Sequence, residues 1–349
     1  MPQTARAVVT HGQSFDVREY PIPDPAPGTV LLKQELSGIC GTDLHNWQNG
    51  IEGEVNMGHE PVGIIAALGQ GVTKDYLGNP VKEGDRIVLH PRNGGKAYGF
   101  RDPRVDPHFG GGFADYLYLA DPNSCFVKTT APADVMVLAE PFAIGVHSAM
   151  RANVQIGDTV IVQGSGAIGL LTLVCAKISG AARIILVGGP KERLEIGKRL
   201  GANVTIDIAD YPDPEERIQH VLDQTPRREG AEVVFECAGF LPAIPEGLKY
   251  VKQDGTFVEV GHFVDVGSIE LNPNKLFMVR NLRMEAIWGS RYPHFVRGLP
   301  ILENNEFPFS DLVSHVLPLE KISEGFDALN GTYSLDGETV VKIAVGSQV

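Results

Sequence analysis

Through the first 150 residues, apolar positions come in short runs, at 30–36, 62–68, 86–90 and 113–119. Turn-forming clusters, Pro-Ile-Pro-Asp-Pro-Ala-Pro-Gly at 21–28 and Leu-Gly-Asn-Pro at 77–80, separate them. Runs of that length bounded by proline and glycine predict strands. No helical period longer than a turn or two stands out there, and the connector 91–112 reads as long and irregular. From about Asp158 the pattern changes. Strand-like runs at 159–163, 183–187, 203–208, 232–238 and 256–261 alternate with helical stretches at 167–179, 191–200, 214–224 and 241–252. That alternation predicts right-handed crossovers and a parallel sheet. The nearly unbroken apolar strands agree, because parallel strands are covered on both faces. After Trp288 the pattern loosens, leaving one helix near 321–329 and a last strand at 339–345.

Composition narrows the class. A chain of 349 residues suggests two or three domains. With 43% hydrophobic and 21% charged residues, each can bury a core, and global disorder is excluded. No apolar run approaches the roughly 18 residues that span a bilayer, and the N-terminus has no apolar signal segment. A net charge of −13 argues against a nucleic-acid partner. Cys40, Cys125, Cys175 and Cys237 lie far apart without a CxxC pair, so a reduced, cytoplasmic protein is expected.

The run at 159–163 leads directly into Gly164-Ser165-Gly166-Ala167-Ile168-Gly169, which opens a helical stretch. This is the glycine pattern of a dinucleotide site, in the strand-to-helix context it requires. Gly164 permits the turn, Gly166 lets backbone approach a pyrophosphate, and Gly169 allows close helix–strand packing. An acidic residue at the end of the next strand would bind the adenosine ribose. Here the strand ends Val187-Gly188-Gly189-Pro190-Lys191-Glu192-Arg193. No carboxylate is present, and Lys191 and Arg193 either meet a 2′-phosphate or cap a solvated helix. The expectation is NAD(P), leaning toward NADP.

Residues 38–45 read Gly-Ile-Cys-Gly-Thr-Asp-Leu-His, and 58–61 read Gly-His-Glu-Pro. Cysteine, histidine and glutamate are zinc ligands, and catalytic zinc takes three of them plus water or substrate. Cys40, His59 and Glu60 are not at helical spacing, so two separate loops would have to converge. Taken singly, Cys40 reads as a small buried hydrophobe and His59 as a structural histidine.

These segments, with VKEGDRI at 81–87, GGFADY at 111–116, AEPFAIGVH at 139–147 and KRLGA at 198–202, run in order along nearly the whole chain. Together they resemble the zinc-dependent medium-chain dehydrogenase/reductase superfamily, the alcohol, sorbitol and threonine dehydrogenase group. The resemblance implies an α/β protein: a GroES-like β-rich catalytic domain (1–150 and 290–349) and a Rossmann doubly wound parallel sheet (151–289). It implies zinc on Cys40 and His59, with Glu60 and Glu140 as the remaining candidates. Asp43 would orient a ligating histidine, Thr42 and His45 would relay the proton, and Lys342 would join the cofactor residues. A homodimer or homotetramer is implied as well. One departure stands out: many relatives carry a four-cysteine structural-zinc lobe, and 90–112 contains no cysteine. Its His90, Asp102, Asp106 and His108 offer other donors, but one catalytic zinc per chain and no structural zinc is the expectation.

The implied function is a zinc-dependent alcohol dehydrogenase moving a hydride between a secondary, bulky or cyclic alcohol or its ketone and NAD(P). Trp47, Phe113 and Trp288 serve either as apolar pocket walls or as core aromatics. The alternatives are a polyol or threonine-type dehydrogenase, a zinc-free quinone or enone reductase, and a non-catalytic cofactor-binding protein. Zinc-free relatives lack the Cys40, His59 and Glu140 set, and a retired enzyme would have lost a ligand or the relay.

Overall fold

The computed structural model describes residues 4–93, 95–102 and 104–346. They form two compact units, Met1–Glu140 with Leu299–Val349, and Pro141–Gly298. The change-over falls at these points rather than at 150 and 290. Residues on either side of the second unit explain it: a Cβ on Gly298 would lie 2.9 Å from Phe142 and 3.6 Å from Val146. Most of helix Ala139–Ala152 and the first half of helix Tyr292–Asn304 therefore belong to that unit.

The first unit is strand-rich. Its main sheet runs Phe126–Thr129, Arg86–Leu89, Glu60–Leu68, Val30–Gly38, Lys342–Gly346 and Val313–Pro318, and Tyr116–Leu119 also pairs with Val30–Gly38. The tail enters the sheet between early strands and its own neighbour, which makes residues 299–349 part of this unit. Register matters most at one end. Gly38 lies opposite Glu60 on one side and opposite Ala344 on the other. Three strands distant in sequence thus bring Gly38, Glu60 and Lys342 together.

The two longer helices within the first 152 residues were not visible in the pattern. Gly41–Gln48 buries only Asp43 and Leu44, too few positions to show a period. It is fixed by a cap: the Asp43 carboxylate, three residues into the turn, accepts the Cys40 N–H at 2.9 Å. Ala139–Ala152 contains Pro141 and Gly145, whose presence interrupts the sequence signal, although Phe142, Ala143, Val146, Ala149 and Ala152 are all buried.

The second unit holds six parallel strands in the order Val204–Asp207, Arg183–Gly188, Thr159–Gln163, Ala231–Glu236, Val251–Glu259 and Arg283–Ala286. Thr159–Gln163 is buried throughout, as a central parallel strand should be. Strand order reverses beside it, and in such sheets ligands bind beyond the carboxyl ends of the strands at that point. The fold class is the expected α/β arrangement, a β-rich unit with a doubly wound unit.

Candidate functional site

In the β-rich unit, donor atoms of Cys40, His59 and Glu60 lie within 4.8 Å of one another. Cys40 precedes the capped helix and is half-buried, whereas His59 and Glu60 are buried. Glu60 opens its strand opposite Gly38, and glycine there is a steric requirement. A Cβ on Gly38 would stand 1.9 Å from Glu60 Oε2 and 2.7 Å from Lys342 Cε. Asp43 has two tasks. Its Oδ2 caps the helix through the Cys40 N–H, and its Oδ1 lies 3.2 Å from His59 Nδ1. Only Nε2 is then left for a metal, the arrangement in which an outer carboxylate sets a ligating tautomer. Phe100 stacks on the His59 ring at 4.3 Å and shields it.

The charges are those of a cation site. Burial alone would lower the pKa of His59, but Asp43 and Cys40 outweigh it and hold the imidazole well above its usual range. Burial, partly countered by His59 and reinforced by Glu60, pushes the half-buried Glu140 carboxyl up to about 7. Glu140 starts its helix beside this cluster but is not one of the three converging donors. Glu60 Oε1 is buried without a hydrogen-bond partner, and its Oε2 is in an ion pair with Lys342. A nitrogen, a sulfur and an unmatched carboxylate oxygen fit catalytic zinc.

Lys342, expected among the cofactor residues, lies against this cluster. Its buried ammonium donates to Ile39 O at 3.0 Å and pairs with Glu60. Sequence gave no local sign of that pairing. Thr42 and His45 sit three residues apart on the capped helix and share a face. The Thr42 hydroxyl lies 3.8 Å from Cys40 Sγ, close enough to accept from the thiol.

Of the three aromatic candidates, Phe113 is a core residue and Trp47 is half-buried against the edge of the same core. Phe113 is fully buried and meets Phe326 edge-on at 6.3 Å. Trp47 stacks on Phe15, packs against Phe326 and donates its indole N–H to Gln13 O at 2.7 Å. Trp288, in the other unit, is 67% exposed. In the cysteine-free connector, Asp102 pairs with Arg104 at 2.7 Å and is drawn down to about 2 by that contact. Asp106 accepts the N–H groups of His108 and Phe109, and the His108 ring stacks on Tyr20 at 3.6 Å. His90 Nδ1 lies 2.9 Å from Arg92 O.

In the doubly wound unit, the glycine pattern has the backbone geometry of a tight turn into a closely packed helix. Gly164 adopts φ +102°, and a Cβ there would come 2.7 Å from Ala238 N. A Cβ on Gly169 would meet Gly164 O at 1.9 Å. Gly166, by contrast, would meet nothing within 4 Å, and no side chain caps the helix Ala167–Ile178 that it begins. Open space before uncapped helix N–H groups fits a pyrophosphate. The adenosine end differs from expectation. Ser165 Oγ accepts the Gly189 N–H at 2.9 Å and donates to Gly189 O at 2.8 Å. A Cβ on Gly188 would lie 2.6 Å from that Oγ, so Gly188 makes room for Ser165. Lys191 faces Asp210 at 3.5 Å, and Arg193 is buried. Asp207, buried at the end of the neighbouring strand, puts its Oδ1 3.2 Å from where a Gly189 Cβ would begin. The sequence pattern does not reveal this carboxylate, because it comes from the end of the next strand.

Residues 26–130 match the alcohol dehydrogenase GroES-like domain model, and residues 167–304 match the zinc-binding dehydrogenase model. The chain is 31% identical to 5-exo-hydroxycamphor dehydrogenase of Pseudomonas putida, over 93% of this chain and 95% of that protein. It is 30% identical to sorbitol dehydrogenase of Gallus gallus, over 92% of each. Its fold matches a crystal structure of an alcohol dehydrogenase from Thermotoga maritima with a TM-score of 0.89 at 24% identity, covering 99% of this chain and 100% of that one.

Proposed function

The chain belongs to the zinc-dependent medium-chain dehydrogenase/reductase family, as an oxidoreductase acting on the CH–OH group of secondary alcohols, and we propose Cys40, His59 and Glu60 as the protein ligands of its zinc. The observation that carries this assignment is the convergence of three buried or half-buried donors, with Glu60 Oε1 lacking a partner. When bound, zinc supplies a Lewis acid for the alcohol oxygen and the nicotinamide supplies a hydride acceptor. The chain's own residues handle position and proton. Asp43 fixes His59, Phe100 covers it from water, and Lys342 holds Glu60 in place. The Thr42 hydroxyl accepts the alcohol proton while passing its own onward, and His45, on the same helix face, delivers it toward solvent. Histidine suits that exit because its ordinary pKa lies near neutrality. One such zinc per chain is proposed, since the acidic and histidine side chains of 90–112 have other partners.

For substrate, a cyclic or bulky secondary alcohol is the first class to test, on the likeness to the hydroxycamphor enzyme; the polyol reading rests on the sorbitol enzymes. For cofactor, the lean toward NADP drew on Gly188, Gly189, Lys191 and Arg193. Asp207 weighs against it, because a carboxylate beside Gly189 repels a 2′-phosphate and accepts from a ribose hydroxyl. NAD is therefore proposed as the better-used form. A homodimer is proposed on the exposed edge strand Arg283–Ala286, near which Met278, Val279 and Met284 are solvent-exposed. A cytoplasmic location is proposed on the free thiols of Cys40, Cys125, Cys175 and Cys237; no helix among the described residues is long and apolar enough to cross a membrane. The deciding experiment pairs zinc analysis with cofactor absorbance on a panel of secondary alcohols and ketones. Zinc-loaded protein inert toward the whole panel with both cofactors would overturn the proposal.

A further inference from the structure

We propose that Glu236, Glu259 and His262, at the carboxyl edge of the parallel sheet, form a second divalent-cation site, chemically unlike the Cys40 site. Glu236 and Glu259 end adjacent parallel strands and stand directly beside each other in register. His262 follows three residues later and turns back onto both. Donor atoms of all three lie within 4.8 Å of one another.

The side chain of Glu236 is 0% exposed. Its Oε1 accepts the N–H groups of Ala238 and Gly239, at 2.8 and 2.9 Å, which fixes the carboxylate in orientation. Its Oε2 points into the cluster and has no hydrogen-bond partner; nor have Glu259 Oε2 and His262 Nε2. A fully buried carboxylate oxygen left unmatched, as Glu236 Oε2 is, is costly, on the order of 1–3 kcal/mol. Among the described residues, the ion-pair contacts of Glu236 and Glu259 come from His262 alone. Burial, and then the neighbouring Glu259, push the Glu236 carboxyl up to about 8. Without a cation the pair holds a proton between them.

The spacing suits a metal. Ligands about 2.1 Å from an ion lie about 3.0 Å apart at octahedral angles and about 3.4 Å apart at tetrahedral ones. His262 Nδ1 is 2.9 Å from Glu259 Oε1 and 3.4 Å from Glu236 Oε2. One imidazole nitrogen and two carboxylates suit Mn²⁺, Fe²⁺, Co²⁺ or Zn²⁺. The absence of thiolate argues against Cu⁺, and three protein donors including a nitrogen are a poor set for Ca²⁺. The carboxyl ends of such strands are also where this class of sheet places its ligands.

The test is a Mn²⁺ titration at neutral pH of the full-length protein holding one equivalent of zinc, shown by metal analysis, with free Mn²⁺ read by electron paramagnetic resonance. One Mn²⁺ per chain is expected. Glu236→Gln keeps the carbonyl acceptor for Ala238 and Gly239 but removes the charge, and should weaken binding at least about tenfold. Glu259→Gln should do the same, with circular dichroism confirming both folds. Cys40→Ala should lose zinc and leave Mn²⁺ binding intact, which separates this site from the zinc proposal. Absence of Mn²⁺ binding, or binding unchanged in both glutamine variants, would overturn the proposal and leave the cluster as a proton-sharing pair.

Discussion

Asp43→Asn isolates the outer carboxylate of the zinc site with almost no change of shape. The wild-type side chain is fully buried and accepts twice, from Cys40 N–H at 2.9 Å and at His59 Nδ1 at 3.2 Å. An amide has one oxygen and one NH₂ group, so it cannot accept at both positions. If the oxygen keeps the cap, the NH₂ faces His59 Nδ1 and forces the ring proton onto Nε2, the nitrogen that must face the metal. If the amide turns over, the cap is lost, at about 0.5–2 kcal/mol. The first arrangement keeps more contacts, so metal affinity should suffer more than metal-free stability. Losing an outer partner of a ligating histidine costs about 10- to 100-fold in affinity, or about 1.4–2.7 kcal/mol. Removing the carboxylate also lowers proton competition at His59, so the comparison belongs above neutral pH, where that competition is smallest. Competition against a chromophoric chelator reads the affinity, and thermal midpoints of the metal-free proteins read the cap. An Asp43→Asn protein that binds zinc as tightly as wild type would refute the tautomer argument.

Thr42→Ala should lower kcat by on the order of 10²–10⁴ with zinc content and thermal midpoint kept, whereas Thr42→Ser should be nearly silent and His45→Gln milder, because water can stand in at a surface exit. Asp207→Asn should raise kcat/KM for NADP relative to NAD, by about tenfold for about 1.4 kcal/mol of relieved repulsion; an unchanged ratio would remove Asp207 from cofactor selection. In metal-free protein the Glu140 carboxyl titrates near 7 instead of 4.5. A raised folded-state pKa means stability that is present below 4.5 and lost as pH rises through about 7. Chemical denaturation across that window should show the decline without zinc and a flatter profile with zinc; Glu140→Gln should flatten the metal-free profile too.

What could be seen in the sequence follows from how local each cause is. Five of the six parallel strands were legible, the central ones because burial on both faces leaves an apolar run between breakers. Arg283–Ala286 was not, because this edge strand has no apolar run and is largely exposed. The glycine pattern was legible because its spacing is local: Gly169 answers to Gly164 O within the same turn, although Gly164 itself meets Ala238 from a distant strand end. Helix Gly41–Gln48 was not, since a single carboxylate on a cysteine N–H replaces the apolar stripe that would betray it. Trp47 and Phe113 show a different limit. Whether an aromatic ring faces a pocket or a core depends on Phe15 and Phe326, which are brought in from elsewhere in the chain.

The cofactor corner shows how a correct motif can still suggest the wrong experiment. Two glycines at the end of a strand look like vacant room, and Gly188→Asp would seem to convert the site toward NAD. In the folded unit that room is taken: a Cβ on Gly188 would sit 2.6 Å from Ser165 Oγ and 2.9 Å from Ser165 N. The substitution would break the Ser165 clamp on Gly189 before any carboxylate reached a ribose. On the proposed reading the acidic group of this corner is Asp207, from the adjacent strand, in register with Gly188. Parallel pairing thus puts a carboxylate beside a strand end that lacks one of its own. The same pairing sets Glu236 against Glu259 across an intervening helix. Residues at matching strand ends are neighbours in space however far apart they lie in the chain, so in such sheets the ends should be read across strands as well as along them.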